Sequence, residues 1–444
     1  MSSSTVAIII VVLAIISFVL EKIPLAMTAM IASLAMGILI PEMNLSDVYS
    51  SFGGITVMLV AGMCIVGNAL FETGMANKIG HAIGKSRLAK NERLFTTVVV
   101  ICCTIMSAFL SNSGTIAMWM PLIAAVAAKS NGKIRSKMVI MAAGIAASIG
   151  GAGTLVGSAS QQIASSILMG YEGYESGLGL FDQTRVMVPL CLIMILYFAT
   201  IGYSISKKVL KPGTPDFDKG NYYAELANTS SEEMVNNIPA WKGRMSIIVL
   251  IFCIAGFIFS GLPIFEKYLN IGIVSLLGAT VLIASGCMPF KKSLADLDWN
   301  TIIVLGAAQG FAKGLDVSGG GKVIADAVLN LFGGQSAAPA IIMAAGVVVT
   351  AVLTNFMSNS ALAAMMTPIF IEIARNLGIS PVPFVIAIGA VANNLACATP
   401  VGTACMTQTL PAGYKYMDYV KIGGPLCILL IIAAAILSPM IYQF

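Results

Sequence analysis

Residues 6–20 read VAIIIVVLAIISFVL, without one charged side chain, and comparable runs recur to the C-terminus. In hydrocarbon every backbone N–H and C=O must find its partner inside the segment or in neighbouring protein, so unbroken apolar runs are helices. Membrane-spanning barrels need short alternating segments instead. About 20 apolar residues suffice for one crossing. Runs of that kind lie at 5–20, 24–40, 54–71, 185–206, 244–262, 268–288, 300–314 and 422–441. Two further stretches, 138–169 and 381–410, are interrupted by small and polar residues. Only 10% of the chain is charged, against roughly 25% in a soluble domain. The expected fold class is an all-α polytopic protein of the cell (inner) membrane, with the lipid bilayer as its surroundings.

Two stretches resist reading as single spans. FLSNSGTIAMWMP begins at Phe109 and FMSNSALAAMMTP at Phe356, and each sets Ser-Asn-Ser in the middle of an apolar region. The loop before the first carries Lys78, Lys85, Arg87, Lys90 and Arg93, and the loop after it Lys129, Lys133, Arg135 and Lys137. By the positive-inside rule both flanks are cytoplasmic. A segment that starts and ends on one side is either two tight spans, for which about 16 residues per arm is short, or a re-entrant hairpin, and it is read as the hairpin, here 94–128, turning at Ser111–Ser113.

The remaining loops fix the rest. Residues 170–184 carry Glu172, Glu175 and Asp182 and no Lys or Arg, so they are external. All but Arg185, Lys267, Lys313, Lys322 and Arg375 of the 25 Lys and Arg then fall on one face. The second hairpin, 339–374, enters from outside, and both termini are external. The N-terminus lacks a basic leader region and is read as the start of a retained helix. The modest net charge of +5 reports this topology and gives no reason to expect nucleic acid.

The halves repeat. Ser-Asn-Ser recurs at an offset of 247 residues, TGMANKI (73–79) aligns with SGGGKVI (318–324), and GTLVGSASQ (153–161) parallels TPVGTACMT (399–407). Each half holds five spans plus one hairpin, an odd number of crossings, so the second copy is inverted. The expected organisation is a first repeat at 1–206, a cytoplasmic linker at 207–243, and a second repeat at 244–444. Within them lie early helices at 5–90 and 244–335, hairpins at 94–128 and 339–374, broken helices at 138–169 and 381–410, and a last span at 422–441. Inverted repeats with interruptions at matched positions mark secondary transporters.

The breaks supply the chemistry. A helix break at membrane depth persists only where protein or water satisfies it, and its freed N–H and C=O groups can hold ions. Ser107 and Thr354 each lie four residues before the first tip serine, one helical turn away. Gly157-Ser158 and Gly402-Thr403 sit in the broken helices, where glycine lets backbone approach an ion. All these groups are neutral oxygens or amides. Hard oxygen ligands suit Na⁺ as they suit other hard cations. With no Lys or Arg in any break, an anion would be held by amides, hydroxyls, helix N-termini and the bound Na⁺. The nine cysteines include no C-x-x-C pair and are read as packing residues; His81 is read as solvated.

On these residues the chain resembles the divalent anion/sodium symporter family, the INDY-like carboxylate transporters. The resemblance rests on that family's paired Ser-Asn-Thr motifs, standing here as Ser111-Asn112-Ser113 and Ser358-Asn359-Ser360, and on the glycine-containing breaks that follow. It implies one Na⁺ site from Ser107, Ser111, Asn112 and Gly157, and a second from Thr354, Met357, Asn359 and Gly402. It implies that a small carboxylate anion contacts Asn112, Ser113, Asn359 and Ser360, with Ser158 and Thr403 at the edges. It further implies a homodimer whose hairpins and broken helices slide, elevator-fashion, against a fixed scaffold of early helices. The chain departs from the family in its third motif residue, serine in both copies. It also carries SASQ (158–161) and TACM (403–406) where the family has a Thr-Pro-Pro-Asn-like run, and its N-terminus is one helix short of the family's usual count.

The expected function is Na⁺-coupled symport of small dicarboxylates of the succinate, malate and fumarate class. A dicarboxylate exchanger of the same fold is the near alternative. A Na⁺/H⁺ antiporter or oxyanion pump is the more distant one, with Glu72, Asp316, Asp326 and Glu372 the acids to watch and Lys313 beside Asp316. An enzyme is not expected, since the chain lacks a catalytic dyad, a metal motif and a phosphate loop.

Overall fold

The computed structural model describes residues 1–20, 22–75, 91–130, 132–212, 239–260, 269–331, 338–400 and 402–442. His81, Lys78, Lys85, Arg87, Lys90, Lys219, Lys267 and the centre of the linker lie outside the described residues. Among the described residues all regular structure is helical.

The first half begins with α1 (Ser3–Leu20), α2 (Leu25–Leu39) and α3 (Ile55–Glu72). Then come α4 (Glu92–Ser107) and α5 (Asn112–Lys129) around the first Ser-Asn-Ser tip, and α6 (Ser136–Gly151) and α7 (Ala159–Leu168) around the first break. It closes with α8 (Thr184–Ala199) and α9 (Ile201–Leu210). The second half runs α10 (Ala240–Ser260), α11 (Ile271–Ala284), short α12 (Phe290–Ala295), α13 (Trp299–Val317) and α14 (Gly320–Leu331). There follow α15 (Pro339–Leu353) and α16 (Asn359–Asn376) around the second tip, α17 (Val382–Asn394) and one-turn α18 (Ala404–Thr407) around the second break, and α19 (Tyr416–Ile441).

The halves match element by element. Pro121 inside α5 and Pro368 inside α16 stand 247 residues apart. Each removes an N–H and so releases a carbonyl one turn back, at Ala117 and Ala364. Gly74 and Gly319, at φ of 67° and 68°, terminate α3 and α13 in the left-handed region, where a Cβ is penalised. Packing is exchanged between halves: α2 lies on α13, and α11 on α3. Within each half the arms are packed alike, α4 on α6 and α8, α15 on α17 and α19.

Among the described residues three helices, Ile55–Glu72, Ala240–Ser260 and Tyr416–Ile441, are long and apolar enough to cross on their own. The expected span at 185–206 is instead two helices bent by 52° at Thr200. Most other apolar helices run 10–17 residues, shorter than the sequence runs suggest. Around the two tips and the two breaks it is the polar residues that end them, and backbone freed there at membrane depth has to be satisfied by neighbouring protein or water. α6 shows this most fully, since all of Ser136–Gly151 is buried.

At the edge of the first helix pair, Glu92 is buried and bridges several elements. Its carboxylate accepts from Arg135 Nε at 2.8 Å, Nη2 at 2.6 Å and backbone N at 2.9 Å, and from Tyr203 Oη at 2.7 Å. This ties α4, α6 and α9 together.

Candidate functional site

Both tips open on one cavity of about 450 Å³. Ser111, Asn112 and Ser113 line it from α5, and Ser358, Asn359 and Ser360 from α16. The broken helices add Gly157 and Gln162 from one half and Gly402, Thr403 and Thr407 from the other. The opposite wall is Val60, Met63 and Cys64 of α3 with Asp298 and Thr301 at the start of α13. No Lys, Arg or His lines the cavity among the described residues.

Local structure makes each tip. α4 ends at Ser107, whose hydroxyl lies 2.7 Å from Asn112 Oδ1 and 2.6 Å from the Ala147 carbonyl. In the second half Thr354 Oγ1 lies 2.7 Å from Asn359 Oδ1 and bonds the Ala392 carbonyl. A hydroxyl has one proton to donate, so each faces two acceptors and can satisfy one. In both halves a hydroxyl, an asparagine oxygen and a backbone carbonyl are thereby drawn close together.

Backbone carbonyls join this cluster. A Cβ added to Gly157 would collide with the carbonyl oxygens of Ser107 and Gly151 and lie 3.0 Å from that of Ala108. One added to Gly402 would collide with the Thr354 carbonyl and meet Ala396 Cβ at 2.7 Å. Thr154 Oγ1 donates to the Ala108 carbonyl and Thr399 Oγ1 to that of Asn355, fastening each break to its tip. Neutral hydroxyl, amide and carbonyl oxygens gathered in this way are ligands of the kind that a hard cation such as Na⁺ takes.

Most of the residues named from sequence come together here, some in altered positions. Ser111 Oγ accepts from Gly114 N at 3.1 Å, capping α5. Ser158 Oγ pairs with Ser160 Oγ at 3.0 Å and is buried behind the wall, whereas its counterpart Thr403 reaches the cavity and lies 2.6 Å from Cys405 Sγ. Met357 is buried and away from the cavity wall. Gln162, Thr407, Cys64 and Asp298 were not anticipated. Gln162 and Thr407 stand 245 residues apart, the offset of the breaks, so the repeat itself was a usable signal for them. Nothing local pointed to Cys64 or Asp298.

The acids weighed for proton exchange lie elsewhere. Asp316 accepts from Arg375 Nη1 at 2.5 Å, and Lys313 stands 4.0 Å away. Glu372 is 3.1 Å from the same Arg375. Asp326 Oδ1 accepts from Asn376 Nδ2 at 3.0 Å. Glu72 accepts from Lys292 Nζ at 2.6 Å, and this bond raises the ammonium pKa above its usual value.

The profile of the CitMHS family, described as citrate transporter, matches residues 15–369 and 261–444. The chain belongs to the citrate transporter family. It is a membrane transporter and not an enzyme. Among the relatives, an uncharacterized transporter of Haemophilus influenzae is 27% identical, over 88% of this chain and 82% of its own length. The sodium-dependent dicarboxylate transporter SdcS of Staphylococcus aureus is 23% identical, over 87% of this chain and 76% of its own. In fold, the structure of MtrF from Neisseria gonorrhoeae, described as one of a class of antimetabolite efflux pumps, superposes with a TM-score of 0.64 at 15% identity. That match covers 99% of this chain and 94% of MtrF. These matches agree with the divalent anion/sodium symporter resemblance drawn from the Ser-Asn-Ser pair.

Proposed function

We propose that the protein is a Na⁺-coupled symporter of small dicarboxylates of the succinate, malate and fumarate class. The observation that carries this reading is the matched pair of tips. Each sets a hydroxyl, an asparagine oxygen and crowded carbonyls beside one shared cavity that no cationic side chain among the described residues lines. The oxygen clusters would hold Na⁺ through Ser107, Asn112 and the backbone near Gly157, and through Thr354, Asn359 and the backbone near Gly402. Ser113, Ser360 and Thr403 would donate to the substrate carboxylates, with the N-termini of α5 and α16 adding their partial positive charge. The anion then binds well only when the cations are present, which is the coupling. The sodium-dependent dicarboxylate transporter among the relatives supports the same substrate class.

In this reading α4–α7 and α15–α18 move as the transport unit, against a dimerising scaffold of α1–α3, α10, α11 and α13. Both termini are external and the 207–243 linker is cytoplasmic. The exposed lining residues Asp298, Ala404 and Thr407 lead in sequence from Lys291–Lys292 and toward Lys415, the basic and therefore cytoplasmic side. The cavity accordingly faces the cytoplasm.

The test is counterflow of labelled succinate in proteoliposomes with and without Na⁺. Accumulation that requires Na⁺ is expected. Exchange indifferent to Na⁺ would replace symport with an exchanger, and no carboxylate transport under either condition would remove the substrate class.

A further inference from the structure

Among the described residues the cavity wall holds one charged side chain, and it is acidic. Asp298 is exposed and caps α13, with Oδ1 accepting from Thr301 N at 3.2 Å and Oδ2 from Thr301 Oγ1 at 2.5 Å. α3 holds the corner just before it: Asn68 Nδ2 donates to the Asp296 carbonyl at 3.2 Å, and the Cys64 thiol lies 3.8 Å from the same oxygen. Trp299 Nε1 fastens the other side by donating to the Leu294 carbonyl at 3.3 Å. Both carboxylate oxygens are thus fixed, on a corner that is itself fixed. No Lys or Arg among the described residues stands within ion-pair distance of Asp298.

Capping alone does not call for a charge, because serine and asparagine cap as well as aspartate. The matched position 245 residues earlier is Gly53, and α3 is capped by Gly54. The carboxylate therefore breaks the repeat at a place where the other half manages without one.

We propose that Asp298 is a selectivity residue that sets the charge of the transported anion, admitting dianions and disfavouring a third carboxylate. The inference rests on the reading of the cavity as a Na⁺-dependent carboxylate site. Two Na⁺ and a dicarboxylate make a neutral set, toward which a nearby carboxylate is nearly indifferent. A tricarboxylate leaves one negative charge in excess, facing Asp298 with no cationic side chain to offset it. Two unit charges about 10 Å apart in largely aqueous surroundings change affinity by roughly twofold to fourfold. The N-terminus of α13 cancels part of that.

The experiment uses the full chain purified in detergent at saturating Na⁺ and pH near 7.5. Thermal-shift titrations with succinate and with tricarballylate, a tricarboxylate without a hydroxyl, give the ratio of their dissociation constants. Asp298→Asn and Asp298→Ser both keep a capping side chain and remove the charge. In each, the discrimination against tricarballylate should fall about twofold to threefold. The change should shrink in roughly 0.5 M choline chloride, where screening is short-ranged. An unchanged ratio in both variants, with succinate still binding, overturns the selectivity role and leaves the dicarboxylate site standing. Absence of stabilisation by either anion in the unaltered protein overturns the site reading and the inference together.

Discussion

Gly157→Ala tests the oxygen cluster at its tightest point. The new methyl would overlap the carbonyl oxygens of Ser107 and Gly151 and stand 3.0 Å from that of Ala108. Carbonyls at the end of α4 and α6 cannot swing aside as a flexible side chain can, so the backbone must shift. Overpacking of this kind costs about 1–3 kcal/mol. If the displaced oxygens ligate Na⁺, most of that cost appears as lost Na⁺ affinity. At about 1.4 kcal/mol per factor of ten, half-saturation by Na⁺ should rise roughly fivefold to a hundredfold. The assay is the Na⁺ dependence of succinate counterflow, read beside the Na⁺ dependence of the unfolding midpoint in detergent. Gly424→Ala is the control: that glycine lies within α19, and nothing stands within 4 Å of the place its new methyl would take, so a mild gain of up to about 1 kcal/mol is expected. The reasoning fails if Gly157→Ala lowers the midpoint but leaves the Na⁺ half-saturation where it was. The glycine would then be a packing requirement with no bearing on a cation.

Three further outcomes follow from the same geometry. Ser107→Ala and Thr354→Ala each remove one hydroxyl from equivalent places, so each should raise Na⁺ half-saturation by roughly fivefold to a hundredfold, as loss of a buried hydrogen-bond partner at about 1–3 kcal/mol requires; counterflow at graded Na⁺ reads this, and an effect confined to one half would break the proposed equivalence. Glu92→Gln leaves the Arg135 guanidinium without its carboxylate and should destabilise the protein by about 2–4 kcal/mol, seen as a lower unfolding midpoint with the apparent succinate affinity unchanged. Arg375→Gln leaves buried Glu372 and nearby Asp316 without their shared cation and should also lower the midpoint, whereas retained Na⁺-dependent counterflow in that variant would separate this acidic cluster from transport, in contrast to its role in an antiporter.

The sequence was most legible where structure is local. Helices at both Ser-Asn-Ser stretches and at both breaks begin and end within a few residues of the expected limits. A Ser-Asn-Ser run followed by a helix is a capping signal, and Ser111 does cap α5. The one-turn spacing of Ser107 to Ser111 and of Thr354 to Ser358 placed those hydroxyls near the tips, and the structure pairs them with the asparagines one residue further on. Helix lengths were less legible, because hydropathy does not distinguish a span facing lipid from one buried in protein. Buried α6 and the partly exposed α1 both read simply as apolar runs. Among the acids, Asp316 has the expected Lys313 4.0 Å away, and its shorter contact is to Arg375, 59 residues on. Sequence proximity put the lysine in view, and only packing of α16 against the end of α13 brought in the arginine.

The sequence by itself determined that this is a helical membrane protein, that it repeats at an offset near 246 residues, and that neutral oxygens stand at four matched interruptions. Those are properties of composition and short-range spacing, which backbone desolvation in hydrocarbon turns directly into helices and breaks. Tertiary structure alone decided that both tips share one cavity, that Met357 and Ser158 stand back from it, and that Asp298 enters its wall. The reason is the exchanged packing of α2 on α13 and α11 on α3. Contacts between residues more than 200 positions apart leave no periodic mark in either segment, so the wall facing the motifs is written nowhere near them.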